Sequence, residues 1–294
     1  MLKKATALSL IIAMLVLFTA CGTAAKDHGG GKLQVLVSFN AMFELVTVVG
    51  QDRVSVTTIV PNGMETHDFE PKAQDIAALS KASVFVYSGF NMEPWAKDAV
   101  LSANNESLVE VEAAKGVDPI EFEGGGYDPH VWLSLKAVEI EVDNIKNALC
   151  EADPDNAAFY KENAKTYTLE LEALYNEYAA KFETLTKKDF VTGHAAFGYL
   201  CREFSLTQIS VSDVFAEGEP NAKRLGELVE FCKANGITTI FSEELASPEV
   251  SQTLANEVGA QVKAIYTMEN AEDGLTYLER MEINLAEIYG SMAG

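Results

Sequence analysis

Four histidines stand in this chain of 294 residues, and three of them share one kind of position. His67 lies in NGMETHDFEP, directly after the β-branched run VSVTTIVP, and His130 lies in the loop GGGYDPH. His194 closes the run DFVTGH, where Gly193 allows close approach to the backbone. Any one of them could be an ordinary surface or capping residue. Three imidazoles in strand-end loops suit a first-row divalent cation, zinc above all, with nitrogens at ~2.0–2.1 Å and a carboxylate completing a tetrahedron. Four carboxylates compete for that fourth place. Glu269 follows the run QVKAIYT, Glu243 and Glu244 end ITTIFSEE, and Glu65 sits two residues before His67. Position after a strand favours Glu269 and Glu243. His28 falls in a glycine-rich stretch and reads as a bystander.

The elements that must position these groups follow an alternating pattern. LQVLVS and VSVTTIVP read as strands around the helical FNAMFELVTVVG; PKAQDIAALSKA leads as a helix into the strand SVFVYSG. The strand ESLVEV and the helix KAVEIEVDNIKNALCEA follow. From Asp153 to about Thr186 the text contains no glycine, starts with Pro154 behind the capping candidate Asp153, and repeats apolar residues every three to five positions. That predicts one helix of about 30 residues, roughly 45 Å long. The first pattern then recurs: DFVTGHAAFGYLCREFSLTQISVSD is strand, helix, strand, and RLGELVEFCKANGITTIFSEE is helix, strand. The expected fold is therefore α/β, with two similar β/α lobes (33–152 and 187–294) joined by one long connecting helix (153–186). In such sheets ligands bind beyond the carboxyl ends of the strands, which puts a metal site in the cleft between the lobes.

The N-terminus MLKKATALSLIIAMLVLFTACG carries two lysines, an apolar run and small residues, the order of an export signal ending at residue 20. Cys21 then becomes a lipid-bearing first residue, and residues 21–32 a flexible tether. The apolar run is short for a membrane span, and no later segment is long enough. Loss of Lys3 and Lys4 takes the formal net charge from −22 to −24, which excludes nucleic acid as a natural partner. Cys150, Cys201 and Cys232 are an odd number with no C-x-x-C, so free thiols are expected rather than a thiolate metal site.

The segments TTIVPNGMETHDFEPKAQDI, GFNMEPW, YDPHVWLSL, VTGHAAFGYL, EGEPNAKRL, IFSEE and YLERMEINL occur in an order that resembles the cluster A-I metal-binding lipoproteins, the substrate-binding components of zinc and manganese ABC importers. The resemblance implies that His67, His130 and His194 bind the metal. It implies zinc over manganese, because the manganese type tends to carry Glu at the third histidine. Where many relatives have an Asp, this chain has Tyr266; some zinc-type members use a Glu at the end of that turn, here Glu269. The long histidine-rich loop of many zinc-type members is reduced to DPIEFEGGGYDPH, with Glu121, Glu123 and Asp128.

The expected function is that of a monomeric, lipid-anchored receptor on the outer face of a bacterial membrane. It would hand zinc to an ABC permease driven by a cytoplasmic ATPase, with manganese as the alternative cargo. Zinc affinity should fall as pH drops toward the usual histidine pKa of about 6.5. A stiff connecting helix predicts small tilts rather than wide hinge motion. Asp68 and Asp128 are candidates to orient imidazoles, and Trp95 and Trp132 to wall the cleft. A zinc hydrolase would need an open coordination position, and H-E-x-x-H is absent. An adhesin would bind host material without metal.

Overall fold

The computed structural model describes residues 31–122, 125–214, 222–243, 248–271 and 274–293. The expected leader, Cys21, His28, Glu123 and Glu244 lie outside them.

The chain begins with β1 (Leu33–Val37), α1 (Asn40–Gly50), β2 (Val54–Thr58), α2 (Ala73–Leu79), β3 (Val84–Tyr87), α3 (Ala96–Ala103) and β4 (Val109–Glu112). The four strands form one parallel sheet in the order β2-β1-β3-β4. Parallel strands are covered on both faces and so read as continuous apolar runs; all four residues of VFVY in β3 are buried. Leu33 pairs with Val54 and Val35 with Val84, and two further bonds, Ile59 N to Val37 O and Val60 N to Ser38 O, carry the β1–β2 pairing toward the loop that holds His67.

Two helices follow. α4 (Leu135–Ala152) is capped by Ser134, whose hydroxyl accepts from Ala137 N at 3.2 Å. α5 (Ala157–Glu183) runs for 27 residues, about 40 Å. The predicted single helix from Asp153 thus starts later, after a 3₁₀ turn at Pro154–Asn156. Asp153 does not cap a backbone amide. Its carboxylate instead accepts from Tyr160 Oη and Asn156 Nδ2, both at 2.7 Å, and so fixes the corner where α5 turns back along α4. α5 buries Tyr160, Ala164, Tyr167, Leu171, Tyr178 and Phe182, so it is packed along its length rather than free-standing.

The second half repeats the first: β5 (Asp189–Thr192), α6 (Gly198–Phe204), β6 (Thr207–Ser210), α7 (Ala222–Asn235), β7 (Thr239–Glu243), α8 (Pro248–Val258) and β8 (Gln261–Ile265), with α9 (Tyr277–Met292) last. Its strands are again parallel, in the order β6-β5-β7-β8. The shared order places a switch point between β1 and β3 in one sheet and between β5 and β7 in the other, where the crevice beyond the strand ends can take a ligand. α9 starts with a reciprocal cap between Thr276 and Glu279 and buries Arg280, whose guanidinium donates to Glu44 of α1. The main apolar core runs from the first sheet through α5 to α9; a second cluster, with Val191, Leu228, Ile240 and Leu254, lies in the second half. Cys150, Cys201 and Cys232 are free, the last two buried. Among the described residues no helix is long and apolar enough to cross a membrane.

Candidate metal centre

The second sheet brings His194 and Glu243 to its switch point. β5 ends at Thr192, and the loop beyond it is bonded within its own half. The carbonyl of His194 accepts from Thr192 Oγ1 and from Gln208 Nε2, each at 2.7 Å, and Ser212 N donates to Gly193 O at 2.8 Å. Glu243, the last residue of β7, accepts from His194 N at 3.1 Å and lies 3.6 Å from His194 Nδ1. The carboxylate therefore backs this imidazole.

His130 has a matching support from the first half. Asp128 Oδ1 accepts from His130 N and faces His130 Nδ1, both at 2.9 Å. Asp128 is fixed in turn by its own backbone, with its amide on Ile120 O and its carbonyl accepting from Tyr199 Oη at 2.8 Å. A carboxylate on Nδ1 keeps the proton there and leaves the Nε2 lone pair for the cleft. Nε2 of His130 and Nε2 of His194 then face each other at 3.3 Å. His67 completes the row, its ring centroid 5.2 Å from that of His130.

Glu269 follows β8 and joins them. One donor atom from each of His67, His130, His194 and Glu269 lies within 4.8 Å of the others. His130, His194 and Glu269 are buried and His67 half-buried. Of the other candidates, Glu65 is half-buried and accepts from His67 N at 3.4 Å, while Glu243 stands behind His194. Neither belongs to the group of four. Asp68 is exposed, so of the two aspartates proposed to orient imidazoles only Asp128 stands at a ring. Trp132 is fully buried beside His130, with ring centroids 5.4 Å apart, whereas Trp95 packs against Phe69 and Phe85 in the core.

Charge in this cluster divides unevenly. Burial and the neighbouring imidazoles pull His67 down to about 3. Burial also lowers His130, against the pull of Asp128. At His194 burial acts downward too, but Glu243, Glu269 and Glu65 outweigh it and the ring ends above its ordinary value. Of the three rings, His194 therefore holds a proton most readily. An N–H on either His130 or His194 can fill the 3.3 Å between their two Nε2 atoms, and the carboxylates around His194 favour that ring.

Two glycines make room for the supporting carboxylates, and sequence reasoning credits only one of them. A Cβ on Gly193 would lie 2.1 Å from Glu243 Oε2, and a Cβ on Gly198 would lie 2.4 Å from Asp128 Oδ2. Both distances are well inside van der Waals contact, so each carboxylate occupies the space a side chain would take. The spacing of Gly193 and Gly198 within VTGHAAFGYL was the available signal; their carboxylate partners, from β7 and from the YDPH loop, were not visible in it.

The chain is similar to known proteins over most of its length. The profile of the family described as zinc-uptake complex component A, periplasmic, matches residues 35–291. A Treponema pallidum protein described only as metal-binding is 44% identical over 98% of this chain and 96% of its own length. The high-affinity zinc uptake system protein ZnuA of Bacillus subtilis is 34% identical over 99% of each chain. Among solved structures, the laminin-binding protein Lmb of Streptococcus agalactiae, titled a bifunctional protein with adhesin and metal transporting activity, superposes with a TM-score of 0.84 at 33% identity. That match covers 89% of this chain and 100% of Lmb.

The glycine notch gives a direct test. Gly193→Ala should push Glu243 off His194 and lower divalent-metal affinity by about 10- to 100-fold, the usual cost of losing an outer partner of a ligand. A thermal melt of the metal-free variant checks that it is folded. An unchanged affinity would show that Glu243 does not orient the ring.

Proposed function

We propose that the chain, which belongs to the zinc-uptake complex component A family, captures zinc outside the cytoplasm and delivers it to an ABC importer. One observation carries the reading: three imidazoles and one carboxylate converge within 4.8 Å in a largely buried site. Three nitrogens and one oxygen satisfy the tetrahedral preference of zinc, whereas manganese favours oxygen-rich octahedral surroundings. His67, His130, His194 and Glu269 are the ligands in this reading. A shell closed by four protein donors leaves no position for an activated water, which suits cargo binding and not hydrolysis.

The loading step follows from the protonation pattern. Zinc takes the place of the proton on His194 and meets Nε2 lone pairs on His130 and His194 that Asp128 and Glu243 have already aimed. His67 and His130 are neutral at physiological pH, since both are shifted down, and need no deprotonation. Ligands drawn from both halves tie the position of the second sheet to occupancy. A membrane permease, powered by a cytoplasmic ATPase, can then distinguish the loaded receptor. Cys21 would carry the lipid anchor that keeps the receptor at the outer face of the membrane.

Competitive titration of the mature protein against a chromophoric chelator tests the reading. One zinc should bind per chain, more tightly than manganese, and His194→Ala and Glu269→Ala should each weaken zinc by about 100-fold or more. Full zinc affinity in His194→Ala would overturn the ligand assignment. The pH profile is a second check. Because His194 alone of the three histidines has a raised pKa, zinc binding should release about one proton below that raised value, and affinity should fall about tenfold per pH unit there. Calorimetry in two buffers of different ionisation enthalpy counts the proton; loss of two or three would contradict the pattern.

A further inference from the structure

Glu269 belongs to the second half, where Asn284 of α9 brackets Tyr266 at the start of its loop, but the loop is also bonded to the first half. Trp132 Nε1 donates to Thr267 O at 2.7 Å. Asn40, the first residue of α1, donates from Nδ2 to Met268 O at 3.3 Å and to Asn270 O at 3.1 Å, the two carbonyls that flank Glu269. Gly63 N donates to Asn270 Oδ1 at 2.5 Å and Ala271 N to Asn62 Oδ1 at 3.2 Å, which joins this loop to the one leading into His67. Met268 itself has φ of 63°, the left-handed region that a residue with a Cβ leaves unless its surroundings hold it there.

The orientation of the Asn40 amide is set by its neighbours. Nδ2 also donates to Glu44 Oε1 at 2.8 Å, and Glu44 is paired with the buried Arg280 of α9. All three partners of Nδ2 are acceptors. A flipped amide would aim its oxygen at two carbonyls and a carboxylate, so the donors must point this way. Asn40 is itself buried, which makes the donors costly to lose.

From these contacts we infer that Asn40 is a positioning residue for Glu269, tying its loop to the half of the chain that carries His67 and His130. The inference rests on Glu269 being a zinc ligand. Asn40 touches no metal; it acts by holding the backbone on either side of the ligand. Without its two hydrogens the carbonyls of Met268 and Asn270 lose this donor, the left-handed turn at Met268 relaxes, and Glu269 no longer meets the three imidazoles at bonding distance.

A double-mutant cycle on the mature protein tests this, with zinc affinity read by chelator competition. Asn40→Asp keeps the shape of the side chain and removes both donors. It should weaken zinc about tenfold or more in the natural background and less than about twofold when Glu269 is already Ala. Asn40→Ala runs in parallel in case the new carboxylate beside Glu44 prevents folding, and thermal melts of the metal-free proteins confirm folding. The ¹¹³Cd chemical shift of the loaded Asn40 variants should move toward that of Glu269→Ala, a change that general loss of stability does not produce. Equal losses in both backgrounds, or no loss in the natural one, would overturn the inference. If Glu269→Ala alone keeps full zinc affinity, the ligand assignment fails first, whatever Asn40 does.

Discussion

Two imidazole nitrogens facing each other at 3.3 Å in a buried site need a hydrogen or a metal ion between them. With both lone pairs exposed they repel, and no water is needed to make that cost large where burial removes the usual screening. Without metal, an N–H on one ring donating to the lone pair of the other fills that place. In the function proposed above zinc fills it, with His67 and Glu269 as its other ligands. The architecture around the site serves to hold that pair of nitrogens in place against their mutual repulsion.

Each ring is held from behind by a carboxylate, and each carboxylate is seated against a glycine. Asp128 and Glu243 come from different halves of the chain, whereas Gly198 and Gly193 both come from the second. Asp128 of the first half rests on Gly198 of the second, while Glu243 and Gly193 both belong to the second. The His130 support therefore includes the contact between the halves, and Tyr199, one residue on from Gly198, adds its hydroxyl to the same spot. The long helix α5 gives these loops a common base, because one core runs from the first sheet along it to α9. A fold of two repeated sheets thus delivers four candidate ligands from four loops, none of them on a regular element.

Much of this was legible in the chain itself. Apolar runs of parallel-sheet character gave the strands, their repetition gave the second sheet, and the glycine-free stretch after Pro154 gave the long helix, apart from the corner at Asp153. The three histidines were visible because each follows a strand or a glycine-rich turn. The fourth member was open between Glu269, Glu243, Glu244 and Glu65, since all four follow or adjoin strands and only the spatial arrangement separates a group in front of a ring from one behind it. Asn40 gave no signal, because its partners lie 228 and 230 positions away. Nor did the buried carboxyls Glu93 and Glu141, which burial raises to about 7 and about 8; an acidic residue inside an amphipathic pattern reads as a solvated one until packing covers it.

The central claim is that a closed shell of three imidazoles and one carboxylate holds the metal. Zinc K-edge X-ray absorption of the loaded mature protein measures that shell directly. It should show four nitrogen or oxygen neighbours at about 2.0–2.1 Å, with outer-shell scattering from three imidazole rings. A sulfur neighbour at about 2.3 Å, fewer than three rings, or a shell of five or six oxygen-rich ligands would contradict it.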